Sequence, residues 1–486
     1  FIARSFVLGY GFPQSPRHRT GGCRFVAFIF ARRIHSFIFK KIRLSEAGGN
    51  SGFPKGVNYL FVFFFFNFVS CMIVMDSPII LYAESLGASA TVIGLIAGIT
   101  PLMVIFQIPA ADHVGRFGYK RSITVGWTLR LVFVLPLVAV PLLDGHINPQ
   151  SQLALIIGAL FCFNLIRGIA STAWFPWITG IIPERVRGRY LTRESAANNI
   201  GSFFALLLAA MYLGRDAVPH QFAGLFAFSL VTGLVSLWFI HRVPDAPVAE
   251  EDAQSKQPVK WSEIIRHQPF RKLLWVCFIW AIFMGGLLGF IVKFLKTGEG
   301  ALADDRVLYA SAAKFVGGLI TLWFLYSRLD RLGSRPLMFL ALGILGLVMA
   351  MWIGMSGGKI PVRFDWVCGV YFVMGFGFCT FYMSLTKLAM ATVPELGKSH
   401  FFALYSVVGS LAVGIFPILW GILIDSLTSV KVNWLGIEWN QFSIYFTALL
   451  VVLVATAVQV LRVEEKKAAR LNELVFDLLR NNPLRE

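Results

Sequence analysis

Twelve long apolar stretches alternate with short polar loops between residues 57 and 462. A run of about 20 apolar residues rising 1.5 Å each spans a bilayer core of about 30 Å. In lipid each backbone polar group must be paired within its own segment, so such runs predict helices. The pattern places them at 60–86, 90–111, 122–143, 152–181, 190–214, 221–242, 271–295, 307–327, 336–355, 366–390, 401–425 and 441–462. The only long polar segment between helices, residues 243–270, divides them six plus six, giving bundles over 57–242 and 271–462. Beyond Arg462, the residues Leu471, Leu474, Val475, Leu478 and Leu479 fall at helical spacing. Residues 463–486 are therefore expected to form a cytoplasmic amphipathic tail helix on the inner membrane surface or against the bundle.

Composition agrees with this class. The chain is 57% hydrophobic and only 14% charged, where a soluble domain carries about 25% charged residues. The net charge is +18, and within the helical core the basic residues gather in the loops after the even-numbered helices and in the tail. That bias predicts a multi-pass protein of the cytoplasmic membrane with both ends of the helical core inside. No nucleic-acid-binding motif accompanies the basic residues, so nucleic acid is not expected as a partner. Most of the six cysteines fall inside apolar runs without a C-x-x-C pair, and the histidines avoid the helix centres. No metal, cofactor or enzymatic role is expected: H-E-x-x-H, the P-loop and G-x-S-x-G are all missing from the sequence. Residues 1–56 hold ten Lys/Arg and one acid, Glu46, and are expected to be an atypical basic extension outside the fold that need not be native.

The two halves repeat. Pro183, Glu184, Arg187 and Ser195 after the fourth helix correspond to Pro394, Glu395, Lys398 and Ser406 after the tenth. Asp112 and Gly115 after the second helix correspond to Asp330 and Gly333 after the eighth. With Arg116, and with Arg331, Arg335 and Pro336 in the second copy, these loops resemble the signature of the major facilitator superfamily. His113 stands where that signature has Arg. The stretches PERVRGRY and RHQPFRKLL also resemble this family. The resemblance implies two pseudo-symmetric six-helix bundles and secondary transport by alternating access. It also implies a cytoplasmic gate built from Asp112, Gly115, Arg116, Asp330, Arg331, Gly333, Arg335, Glu184, Arg187 and Arg189. An Asp at the inner end of helix 2 can bind the positive dipole end of helix 11, and Asp330 would face the start of helix 5 likewise.

Ionisable residues at bilayer depth are costly and mark candidate sites. Asp76 in helix 1 and Arg167 in helix 4 lie about 15 Å and about 22 Å from the outer surface. The resemblance places helices 1 and 4 beside one central cavity and so implies a pair able to couple proton and solute; a structural ion pair is the alternative. Pro78 should kink helix 1. Arg130 is expected to snorkel inward, and Lys314 to rim the outer vestibule or snorkel. Asn67, Gln107 and Asn164 on one half, with Trp280, Tyr371 and Tyr382 on the other, suit a small polar organic solute. Gly94 with Gly98, and Gly285 with Gly289, suggest close helix packing. The expected function is a monomeric secondary transporter in the lipid bilayer, a symporter if protons couple to uptake. A drug or metabolite exporter on the same fold and a non-transporting solute sensor are the alternatives.

Overall fold

The computed structural model describes residues 53–54, 56–110, 117–245, 266–298, 300–325, 333–392, 398–434 and 436–463. The helices are α1 (Asn58–Met75), α2 (Ser77–Ser85), α3 (Ala90–Leu102), α4 (Tyr119–Val132), α5 (Val134–Leu142), α6 (Pro149–Ser171), α7 (Trp174–Ile181), α8 (Glu184–Leu213) and α9 (Pro219–Ile240). The second half holds α10 (Gln268–Met284), α11 (Leu287–Lys296), α12 (Asp304–Leu325), α13 (Ser334–Ser356), α14 (Phe364–Thr392), α15 (Lys398–Ser426) and α16 (Gln441–Arg462). Four spans are broken in two: α1–α2, α4–α5, α6–α7 and α10–α11. Eleven spans among the described residues are long and apolar enough to cross a membrane. The 22-residue α12, which carries Lys314, completes twelve. The architecture is two pseudo-symmetric six-helix bundles, as the repeat implied.

The breaks have local causes. At Asp76 the backbone turns extended (φ −120°, ψ −152°), and its side chain caps α2. Pro78 sits in the first turn of α2, where a missing N–H costs nothing. In an unbroken helix its ring would meet the carbonyl of Val74. The expected kink is thus a full interruption two residues earlier. In the seventh span, Gly286 takes φ +75°, a left-handed conformation open to glycine, and separates α10 from α11. The first helix of each half is therefore interrupted.

The PERVRGRY stretch is helical rather than loop, since α8 starts at Glu184 directly after Pro183. At one end of the bundle Ser89, Asn148 and Asn440 cap α3, α6 and α16 through their side chains. The same end carries an unpredicted antiparallel hairpin of β1 (Val432–Trp434) and β2 (Ile437–Trp439). It is pinned to the end of α13 by Glu438 N–H donating to Gly357 C=O at 3.0 Å. This end is the hairpin end below; the opposite one bears the basic loops.

The halves meet mainly along two helix pairs, α3 with α15 and α8 with α12. These are spans 2 with 11 and 5 with 8, and exchanging the halves converts one pair into the other. The approach of α3 to α15 depends on glycine: a Cβ on Gly94 would stand 2.2 Å from the Pro417 carbonyl oxygen, and one on Gly98 2.3 Å from that of Gly414.

Candidate functional site

The break in the first span exposes an acid at mid-bundle. Asp76 Oδ1 accepts the Ser77 N–H at 2.6 Å and the Ser77 hydroxyl at 2.7 Å. Its other oxygen lies 3.7 Å from Lys314 Nζ on α12. The two side chains keep only 15% and 10% of their exposure. The Ser77 hydroxyl also reaches Ser311, one turn before Lys314, at 3.3 Å. Tyr371 on α14 is 1% exposed, and its hydroxyl neighbours Ser311 within electrostatic range of Asp76. That hydroxyl has no hydrogen-bond partner among the described residues. An acid of the first half and a base of the second thus meet across the interface in a nearly dry environment, where their attraction is little screened.

The sequence reading is corrected at three residues. The ion-pair partner of Asp76 is Lys314, not Arg167. Lys314 neither rims a vestibule nor snorkels; it is buried and reaches across to the other half. Arg130 does not snorkel either: it is 2% exposed, donates through Nη2 to Asn67 Oδ1, and lies over the rings of Trp127 (5.1 Å) and Phe163 (5.4 Å). Helix 3 turns it inward because its outward face is occupied by Val125, Leu129 and Val132, all exposed. An exposed apolar face suits lipid contact and leaves the polar residue to the interior.

Arg167 belongs to the same interior cluster. Its Nε donates to Asn164 Oδ1 at 3.3 Å, and that oxygen also accepts the Thr100 hydroxyl of α3 at 3.1 Å. Asn164 is itself fixed by donating to the Leu160 carbonyl at 2.9 Å. Of the expected amides, Asn67 and Asn164 therefore meet the arginines. Gln107 lies apart, half-buried beyond α3, where its backbone carbonyl accepts Thr172 at 3.4 Å. On the other half, Trp280 is buried in an aromatic stack against Phe381, with ring centroids 3.8 Å apart. Tyr382 is 66% exposed although it lies midway along α14.

The hairpin end is closed by bonds between the halves that sequence reasoning missed. Asp425, near the end of α15, accepts Ala90 N–H at 2.9 Å, Thr91 N–H at 2.8 Å and the Thr91 hydroxyl at 2.6 Å. Lys293 of α11 pairs with Glu84 at 3.0 Å and donates to the Ala88 carbonyl at 2.8 Å. Asp304 of α12 accepts Ala217 N–H at 3.2 Å, while Asp305 N–H donates to Gly214 C=O at 3.0 Å. The available signal was an acid or base at each helix end on this side, which loop charge counts treat as topology only.

The proposed gate at the opposite end falls mostly outside the described residues. Asp112, Gly115, Arg116, Asp330 and Arg331 are not described, nor are the side chains of Glu184, Arg187 and Arg189. Gly333 begins α13 with φ +75°, and Arg335 donates to the Leu461 carbonyl at 2.6 Å. Among the described residues no cluster of three or more His, Cys, Asp or Glu could hold a metal.

Solved structures share this architecture. A point mutant of the nucleoside transporter NupG superposes with a TM-score of 0.62 at 13% identity, over 85% of this chain and 100% of that one. The xylose transporter XylE from E. coli, in an inward open conformation, gives 0.61 at 15% identity over 86% and 99%. A POT family transporter in complex with 5-aminolevulinic acid gives 0.63 at 14% over 86% and 98%. No curated protein matches the sequence. The description of the Major Facilitator Superfamily matches residues 59–358, well over half of the chain, and with the twelve-helix architecture it establishes that the chain belongs to that superfamily.

Proposed function

We propose that the protein is a proton-coupled secondary transporter for a small polar organic solute, working by alternating access between its halves in the cytoplasmic membrane. The observation that carries this reading is the Asp76–Lys314 pair. It joins the first and second halves at mid-depth and sits at the interruption of the first span. A proton on Asp76 removes the attraction between the halves there and leaves Lys314 without its counter-charge. A cycle in which protonation loosens the interface and release of the proton restores it couples proton movement to rocking of the bundles.

The density of basic residues in the loops supports an orientation with the hairpin end outside. The described state is then one with the outer entrance shut by Asp425, Lys293 and Asp304. The gate of Asp112 and Asp330 with Glu184, Arg187 and Arg189 would close the inner side in the alternate state. Asp425 on the first turn of α3 supports this view, since it applies at the outer end the device expected of Asp112 at the inner end. An acid at the end of one helix of the 2–11 pair binds the positive end of its partner.

Reconstituted liposomes test the reading. A panel of sugars, nucleosides, amino acids and organic acids is screened for accumulation driven by an imposed pH gradient, and for exchange without one. The expected result is that Asp76→Asn loses accumulation while retaining exchange. Accumulation by Asp76→Asn equal to that of the parent would contradict proton coupling through this residue. The direction of the accompanying pH change separates uptake from export.

A further inference from the structure

Two guanidinium groups lie in the interior of the first half, and among the described residues neither is paired with an acid. Arg130 lies over the ring of Phe163, and Arg167 is four residues later on the same face of α6, so the two groups are one helical turn apart. Each stands within electrostatic range of the other and of Cys71. The helices α3, α4 and α5 pack on α6, and these three, with α1 and α6 itself, contain no Asp or Glu. The nearest acid on the first span, Asp76, is nine positions from Asn67, about 13 Å along the helix axis. It is already paired with Lys314.

The donors of this pair are only partly used. Arg130 Nε is buried without a hydrogen-bond partner among the described residues. Arg167 is half-buried, and among the described residues it binds protein only through Nε, which leaves both terminal nitrogens for a further partner. The chain from Thr100 through Asn164 to Arg167 holds that free fork in place. Burying two like charges side by side without counter-charge is costly. The side chains that touch Arg130, namely Asn67, Trp127 and Phe163, bring no negative charge to it.

We infer that Arg167, backed by Arg130, is the binding site for the carboxylate or phosphate group of a small organic anion, which supplies the missing negative charge. The planar fork of Arg matches both groups bidentately. Arg130 is the positioning residue: fixed by Asn67, Trp127 and Phe163, it raises the positive potential at Arg167 without needing to touch the ligand. This inference rests on the transporter reading and narrows its solute to the anionic class.

The test uses the purified full chain at constant ionic strength. Thermal unfolding is followed with acetate, succinate, inorganic phosphate and glycerol 3-phosphate, against glycerol, glucose and choline chloride. At least one anion should stabilise the protein saturably. Its affinity should fall roughly tenfold or more in Arg167→Gln, and less in Arg167→Lys, which keeps the charge but loses the fork. A second measurement needs no variant: phenylglyoxal should modify Arg167 in the parent protein, and the stabilising anion should protect it, as read by mass spectrometry. The inference is overturned if no anion stabilises beyond sodium chloride, or if none protects Arg167. Equal affinity in folded Arg167→Gln overturns it as well. Flux of a neutral solute unaffected by Arg167→Gln would overturn the anion site and leave transport standing. Anion binding without flux of any solute would do the reverse.

Discussion

Asp425 grips Thr91 twice, taking its backbone N–H at 2.8 Å and its hydroxyl at 2.6 Å on the same carboxylate oxygen. The two residues belong to different halves, so this single carboxylate fastens the C-terminal end of α15 onto the positive N-terminus of α3. Charge-assisted bonds of this kind contribute more than neutral ones. Removing them in Asp425→Ala should shift the balance away from the closed hairpin end by about 1–3 kcal/mol, roughly 5- to 150-fold in population. Spin labels at the exposed positions Ser85 and Ser429 report the change as a larger long-distance fraction. An unaltered distance distribution would mean that Asp425 does not hold this end shut.

Close approach of α3 and α15 predicts an asymmetric response to alanine. Gly94→Ala would drive a methyl group into the Pro417 carbonyl. It should destabilise the closed state by about 1–3 kcal/mol, the usual cost of overpacking. Gly158→Ala is the matched control, because nothing stands within 4 Å of its added carbon. The control should be neutral or slightly stabilising, since alanine favours helix over glycine. Thermal unfolding of the two variants checks this, and equal effects would count against the helix contact.

The Asp76–Lys314 pair should behave as a coupled unit. Neutralising one member leaves the other nearly dry and uncompensated. Such a loss costs somewhat less than the ~3–5 kcal/mol of a fully buried pair. The double variant Asp76→Asn with Lys314→Gln should be more stable than the sum of the singles predicts. Additive losses in thermal unfolding would show that the two side chains do not interact.

Tyr371→Phe separates stability from function. The hydroxyl it removes is buried and unpartnered among the described residues, so the variant should unfold at the same temperature or gain up to about 1 kcal/mol. If that hydroxyl serves the polar cluster of Asp76, Ser77 and Ser311, gradient-driven accumulation should fall while stability holds. A variant with unchanged accumulation would remove Tyr371 from the coupling machinery.

Much of the fold was legible because the membrane imposes a single period and length on each span. The twelve runs and their six-plus-six arrangement required only hydropathy. The candidate site was legible in part. Asp76 stands out as an acid at depth, but sequence gives no azimuth between helices, so depth alone points to Arg167 where the fold brings Lys314. The distance of Arg130 from its helix end suggests snorkelling, while the exposed apolar face of Val125, Leu129 and Val132 fixes it inward. Asp425 was invisible for another reason: an acid at a helix end looks like topology until the helix it caps is known. The β1–β2 hairpin, only six residues of strand, lay below any periodicity signal.

Simultaneous recording of solute uptake and lumenal pH in liposomes tests the central claim most directly. With an imposed solute gradient, the parent protein should move protons in step with solute, and Asp76→Asn should move solute without protons. Equal pH changes from the parent and from Asp76→Asn would contradict the account.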